Sequence, residues 1–476
     1  MVMSHEIQLA ETTDLENPST LIKETVKKKL TLVPLIFLIF YEVSGGPFGA
    51  EPAVKAAGPL YAWLGFLIFP LIWSIPEALI TAELATAYPG NGGYVIWATE
   101  AFGPFWGSMM GSLKFLSGSI NNAAYPALIK KYVQTITVFK FLDTNKTAGH
   151  IALSTTTILL ALLNYFGLSI VGWIAAIIAV VSVAPFIVMI VMAIPKMRWS
   201  RLLSLGQNDL RNFSKNNWKD YLNTVFWNLN FWDNASTLAG EVANPQKTFP
   251  IALFSAGIIV CLGYLLSLLA AIGAIKLDQT AWETGYFSTA AGMIGGEWLK
   301  IWVDIGSGLS GIGLFEAQLS SSSFQTLGMA DLGFLPGFFA WRSKYFNTPW
   351  VGIVLSSAIT LSLTFADFDQ IVNAANFLYS LGMLLEFSAF IWLRIKYPDL
   401  NRPYKVPASV SVLSILMLIP AGFVVLVLRF SDPLPMYISL GLTFLAICNY
   451  FLMNYLKSKG CIKFNNKDNN EQVVEK

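Results

Sequence analysis

About twelve stretches of mostly apolar residues, each near the length of one bilayer crossing, dominate this chain, at 31–57, 60–84, 104–131, 149–166, 168–192, 222–241, 249–275, 298–327, 348–365, 368–393, 408–429 and 434–456. A helix needs roughly 20 apolar residues to cross the hydrocarbon, and in lipid only helices and closed barrels satisfy every backbone polar group. The pattern therefore predicts an all-α integral membrane protein with about 12 transmembrane helices. Composition agrees, since 55% of the 476 residues are hydrophobic and only 13% are charged. Much of that charge, 17 residues, sits in the tails 1–29 and 457–476. A soluble enzyme is excluded on these grounds. A net charge of +2 with dispersed basic residues argues against a nucleic-acid partner. Three cysteines and two histidines give neither a disulfide framework nor metal-ligand spacing, and no Gly-rich nucleotide loop occurs, so no cofactor or metal is expected. The expected surroundings are the lipid bilayer; oligomeric state is not legible.

Residues 1–30 read as a cytoplasmic tail without an apolar signal region, so the first span must act as the address. Lys23, Lys27, Lys28 and Lys29 abut that span and favour an N-terminus inside. The chain then divides into a first five-helix repeat at 31–192, a polar loop at 193–221 on the external side, a second five-helix repeat at 222–397, two additional helices at 398–456, and a cytoplasmic tail at 457–476. Both glycosylation-type triplets, at Asn145 and Asn212, fall outside in this topology. The basic residues of the 193–221 loop run against the charge rule.

Two spans are interrupted. The first contains Tyr41-Glu-Val-Ser-Gly-Gly-Pro-Phe-Gly-Ala-Glu-Pro52, where glycines permit non-helical backbone and Pro47 cannot donate a helical hydrogen bond. The sixth contains Asn228, Asn230, Asp233, Asn234 and Ser236 within an otherwise apolar run. These are matching members of two five-helix halves. Broken helices at matched positions predict a transporter with a five-plus-five inverted repeat and a site at the midplane.

Glu83-Leu-Ala-Thr-Ala-Tyr-Pro-Gly-Asn-Gly-Gly-Tyr94, and Glu241 followed by Asn244-Pro245, resemble signatures of the amino acid–polyamine–organocation transporters. Tyr41 to Gly49, Phe69-Pro-Leu-Ile-Trp-Ser-Ile-Pro-Glu77, Phe226-Trp-Asn-Leu-Asn-Phe-Trp-Asp233 and Ser236-Thr-Leu-Ala-Gly-Glu241 resemble the plant polyamine uptake transporters, also called L-type amino acid transporter-like proteins. The resemblance spans residues 30 to 456. It implies proton-coupled uptake of putrescine, spermidine and spermine, with paraquat as an adventitious substrate of some members, and a proton gradient as the driving force. It also implies a plasma-membrane or endomembrane location, such as the endoplasmic reticulum or Golgi. Members carry acids where this chain has Pro52, Asn121, Gln318 and Ser322, a departure that leaves shorter or less charged substrates open.

An ionisable group in a span costs at least about 2.5–3.5 kcal/mol at the bilayer centre, so each must face a cavity or a partner. Acids outnumber bases in the spans: Glu42, Glu51, Glu77, Glu83, Asp233, Glu241, Asp304, Glu316 and Glu386 against Lys55, Lys114 and Lys300, with Lys130, Lys131, Asp369 and Arg429 at span ends. That excess suits a small cationic substrate. The expected substrate-binding set is Glu42, Ser44, Gly45 and Gly46 in the first break and Trp227, Phe231, Trp232 and Asp233 in the sixth. Asn121 and Tyr125 on the third span and Asn376 and Tyr379 on the tenth complete it. Ser117 shares the face of Asn121 and Tyr125, and Asn373 that of Asn376. Glu42, Glu77, Asp233 and Glu316 are candidates for the coupling proton, although for Glu77 a structural pairing with Lys114 is the favoured reading. Glu386 is a relay or structural acid. Glu83 and Glu241, at predicted inner ends, read as gating or structural. No catalytic residue is expected. An amino-acid carrier is the alternative, disfavoured because Pro47 removes a donor amide from the first break. A non-transporting scaffold is the remaining reading, and the matched breaks, each bearing a carboxylate, argue against it.

Overall fold

A computed structural model describes residues 29–133, 141–207, 215–276 and 278–465. Lys23, Lys27, Lys28, Asn212, most of the N-terminal tail and the C-terminal tail beyond 465 lie outside the described residues. Every one of the twelve expected spans is helical. The first comprises Leu32–Val43 and the opening turns of Glu51–Phe69, up to a bend at Gly58. The second is the rest of that helix, a π-helical turn at Pro70–Ser74, and Ile75–Ala87. The third is Pro104–Asn122 and Ala124–Val133, the fourth Lys146–Tyr165, the fifth Leu168–Ala193. The sixth is Lys215–Leu229 followed by a 3-10 segment Trp232–Glu241. The seventh is Pro245–Ala274, the eighth Glu297–Asp331, the ninth Trp350–Leu363, the tenth Phe368–Lys396, the eleventh Val410–Phe430 and the twelfth Pro433–Ser458.

The repeat is visible in the connections. Between the second and third spans lies a short helix, Tyr94–Phe102, and between the seventh and eighth lies its counterpart, Tyr286–Gly295. Each ends on a glycine in a region only glycine occupies readily, Gly103 at φ 95° and ψ 178° and Gly296 at φ 90° and ψ 179°. Nothing crowds Gly103, so its dihedral alone demands the residue. Two copies of one supersecondary unit thus share the same backbone device.

Among the described residues, seven helical stretches are long and apolar enough to cross a bilayer by composition alone, and they account for the second, fourth, fifth, seventh, tenth, eleventh and twelfth spans. The ninth, Trp350–Leu363, is apolar but short. The first, third, sixth and eighth fall short because they are broken or polar on one face. Their polar residues meet at the centre of the protein, packed from all sides and therefore out of lipid.

The sixth span differs from expectation at its start, where the helix begins at Lys215 inside the segment read as a loop. Those first turns stand above the apolar part and are held by side chains: Lys219 bonds Asp432 at 3.1 Å, and the Tyr221 hydroxyl donates to the Tyr61 carbonyl at 2.8 Å. Lys55, expected to face a cavity or a partner, has both: it lines an open vestibule and pairs with Glu283 at 2.7 Å. The hydrogen bond and charge of Lys55 hold the Glu283 carboxyl below the usual carboxylate range.

Candidate functional site

The first break runs from Ser44 to Ala50. Gly45, Gly46 and Gly49 all take positive φ, and the turn consumes its own amides. The Gly46 N–H donates to Ser44 Oγ at 3.0 Å, and the Gly49 N–H to Glu51 Oε2 at 2.8 Å. Ser310 of the eighth span donates to the Gly45 carbonyl. A Cβ on Gly45 would stand 2.7 Å from Ser310 Oγ and 2.8 Å from Leu314 Cγ, with φ at +65°. Gly45→Ala is therefore expected to abolish transport, through left-handed strain of about 1–2 kcal/mol plus that collision; uptake at wild-type level by this variant would contradict the tight approach.

Glu42 lies in the last turn before this break and is fully buried. Its Oε2 accepts from Asn234 at 3.2 Å and from Gln318 at 3.4 Å. Its Oε1 lies within hydrogen-bond distance of no partner, although the Ser321 hydroxyl stands beside the carboxyl group, and among the described residues no basic side chain pairs with it. A buried carboxylate so placed is an acceptor awaiting a donor. The aligned peptide dipoles of Leu32–Val43 end here with their negative pole, which favours a cation further.

In the sixth span Phe231 turns the chain at φ 70°, an unusual conformation for a bulky residue, and its N–H is fixed by the Tyr379 hydroxyl at 3.0 Å. The helical end before it is capped: Ser74 and the Trp232 indole both donate to the Leu229 carbonyl, at 3.0 and 2.9 Å. Ser74 closes the π-turn of the second span, so that widened turn bears directly on the break. Beyond the turn, Asp233 takes Lys114 on Oδ2 at 2.5 Å and the Tyr379 hydroxyl on Oδ1 at 2.7 Å. The same hydroxyl meets Glu77 Oε1 at 2.5 Å, and the Asp233 N–H donates to that oxygen at 3.3 Å. Glu386 stands 3.7 Å from Lys114, whose ammonium also lies 3.6 Å from the Tyr379 ring centroid. Two buried acids, Asp233 and Glu386, thus share one buried lysine, and Glu77 joins them through Tyr379.

This arrangement corrects two sequence expectations. Asp233, expected to take a substrate amine directly, has both oxygens engaged by the protein. Lys114 pairs with Asp233, not with Glu77, which reaches the cluster through Tyr379.

A hydrogen-bonded path leads from Glu42 toward open space. Gln318 Oε1 accepts from Asn121 at 2.9 Å, Asn121 Nδ2 also reaches the Tyr125 hydroxyl at 2.7 Å, and Asn121 Oδ1 accepts from the Trp227 indole at 2.8 Å. Trp227 lines a vestibule of about 890 Å³ on the face that carries the 193–221 loop, together with Gly49, Lys219, Glu283, Asp369 and Asn373. On the tenth span Asn373 holds Asn223 at the vestibule, Asn376 meets Asn230 at 3.4 Å, and Tyr379 reaches the acid cluster, so one helical face connects all three levels. Ser117 leaves this path and donates to the Ala375 carbonyl, joining the third and tenth spans.

The remaining expected residues lie elsewhere. Trp232 is buried against Gly257 of the seventh span, away from the path. Glu316 faces the fourth span, where Asn164 donates to it at 3.0 Å, and it does not join the cluster of Lys114. Glu83 and Glu241 sit at the face opposite the vestibule. Glu83 binds Arg394 and Arg402 and accepts from the Val406 N–H at 2.8 Å; Glu241 binds Arg342 at 2.5 Å and Asn91 at 2.8 Å. These two acids tie the inner ends of the second and sixth spans to the tenth span and to the loops that carry Asn91, Arg342 and Val406. Sequence reasoning did not assign a role to Gln318 or Asn234, the two donors to Glu42; the polar run around Asn234 and the departure at Gln318 were the available signals.

Residues 30–447 match the family described as amino acid permease. The chain is 46% identical over 462 residues to the polyamine transporter RMV1 of Arabidopsis thaliana, covering 96% of this chain and 92% of that one. It is 47% identical over 437 residues to the polyamine transporter PUT1 of Oryza sativa subsp. japonica, covering 92% and 80% respectively. With a fold of twelve spans, matched breaks in the first and sixth, and a family match across nearly its whole length, this multi-pass membrane protein belongs to the amino acid permease family.

Proposed function

We propose that this chain is a secondary active transporter that takes up polyamines with protons by alternating access, putrescine, spermidine and spermine being the natural cations and paraquat an adventitious one. The observation that carries this reading is Glu42, a buried acid in the last turn before the first break whose Oε1 has no hydrogen-bond partner and which, among the described residues, pairs with no basic side chain. Glu42 takes one ammonium of the substrate, and Gln318, Asn121, Tyr125 and Trp227 line the route of the methylene chain from the vestibule. Substrate names borne by RMV1 and PUT1 support the same class. The first break also disfavours an amino-acid zwitterion, because the amides of Gly46 and Gly49 that could hold a carboxylate are already spent on Ser44 and Glu51. The vestibule faces outward in this reading, on the plasma membrane or an endomembrane, and the five-helix repeats are 31–192 and 222–397.

Uptake of radiolabelled putrescine and spermidine into proteoliposomes tests it. An imposed inward proton gradient is expected to raise accumulation, unlabelled spermidine to compete and leucine not to compete. Displacement of the label by leucine, or accumulation indifferent to the gradient, would overturn the reading.

A further inference from the structure

The hydroxyl of Tyr379 has more short contacts to acid oxygens than its hydrogen can serve. A phenol carries one hydrogen to donate and two lone pairs to accept with. One lone pair takes the Phe231 N–H at 3.0 Å. The hydroxyl oxygen then stands 2.5 Å from Glu77 Oε1 and 2.7 Å from Asp233 Oδ1. Its own hydrogen can lie in one of these gaps only. Two oxygens at such a separation without a hydrogen between them repel, so the other gap needs a proton supplied by a carboxyl group. Asp233 holds the Lys114 ammonium at 2.5 Å and is the ionised member. The hydrogen of Tyr379 therefore goes to Asp233, and the extra one comes from Glu77.

We propose that in this state a proton resides on Glu77 Oε1 and that Tyr379 relays it to Asp233. In the relay the Glu77 O–H bond breaks as the Tyr379 oxygen gains that proton. The original Tyr379 O–H bond breaks as Asp233 Oδ1 gains the other. One proton moves, Tyr379 ends as it began, Glu77 becomes a carboxylate and Asp233 a neutral acid. Neutral Asp233 no longer holds Lys114, whose nearest remaining acid is Glu386 at 3.7 Å. Protonation on the second span thereby moves an ammonium between the sixth span and the tenth, two elements that meet at the breaks. The groups that face Glu77 are Asp233 and its N–H from the sixth span, Lys114 from the third, and Tyr379 and Glu386 from the tenth. Tyr94, in the helix that follows the second span, stands 5.4 Å from the Lys114 ammonium, and Tyr264 of the seventh span is committed to Asn228.

The role in uptake rests on the proposed proton-coupled transport, while the site of the proton is tested without it. Infrared spectra of the purified protein at neutral pH are expected to contain a protonated-carboxyl C=O band that disappears in Glu77→Gln and persists in Glu386→Gln. Absence of any band that Glu77→Gln removes would overturn the assignment, whatever the protein transports. For the relay, the ratio of spermidine uptake with and without a proton gradient is expected to fall in Tyr379→Phe by the factor of about 5–150 that coupling energies of this kind represent. This variant keeps the ring over Lys114. A ratio unchanged from wild type would overturn the relay. A wild-type protein that moves no polyamine would refute the functional reading and leave the infrared result standing.

Discussion

Asp233→Asn is expected to destabilise the protein by about 3 kcal/mol or more and to abolish concentrative uptake. The stability loss follows from Lys114: an amide leaves its ammonium buried with Glu386 at 3.7 Å as the remaining acid in reach, and breaking one side of a buried pair typically costs about 3–5 kcal/mol. The transport loss follows from the relay, since asparagine cannot accept the proton that Tyr379 passes on. The two effects are separable. A second substitution, Lys114→Met, removes the stranded charge, so Asp233→Asn with Lys114→Met should recover much of the stability and none of the uptake. Thermal unfolding of the purified variants reads the first effect, and proteoliposome accumulation reads the second. A single Asp233→Asn variant as stable as wild type would mean that Lys114 is not held by ionic pairing.

Much of this was legible in the sequence because lipid makes exceptions conspicuous. Gly45, Gly46 and Pro47 in an apolar run have no reading except a broken helix, and the structure breaks there. The polar run from Asn228 to Ser236 marks the matching break for the same reason. Partner choice was not legible. Lys114 and Asp233 are 119 residues apart, and whether a lysine on the third span meets the second or the sixth depends on how helices cross, which the pattern of one span does not encode. The direction of the Trp232 side chain was not legible because the segment after the break is a 3-10 helix, whose three-residue turn directs side chains differently from the α-helix expected of a span. The start at Lys215 was missed because a helix that projects beyond the lipid carries polar residues and has no apolar stripe to announce it.

Glu42→Gln carries the second large effect, of the opposite kind. Among the described residues Glu42 neutralises no basic side chain, so glutamine strands no charge, and Asn234 can still donate to its amide oxygen. Stability should therefore stay close to wild type. What is lost is the ionised acceptor for a substrate ammonium, and hydrogen bonds to charged groups contribute about 1.5–3 kcal/mol, or roughly 10–150-fold in affinity. Asp233→Asn and Glu42→Gln are thus expected to differ in a way that a general loss of packing at the breaks would not produce.

The most direct test is the dissociation constant of spermidine for Glu42→Gln against wild type, measured by equilibrium binding on purified protein of matched thermal stability. Affinity weakened by roughly 10-fold or more, with unfolding unchanged, is the predicted result. Wild-type affinity in a well-folded Glu42→Gln protein would contradict the claim that the free acid in the first break receives the cation.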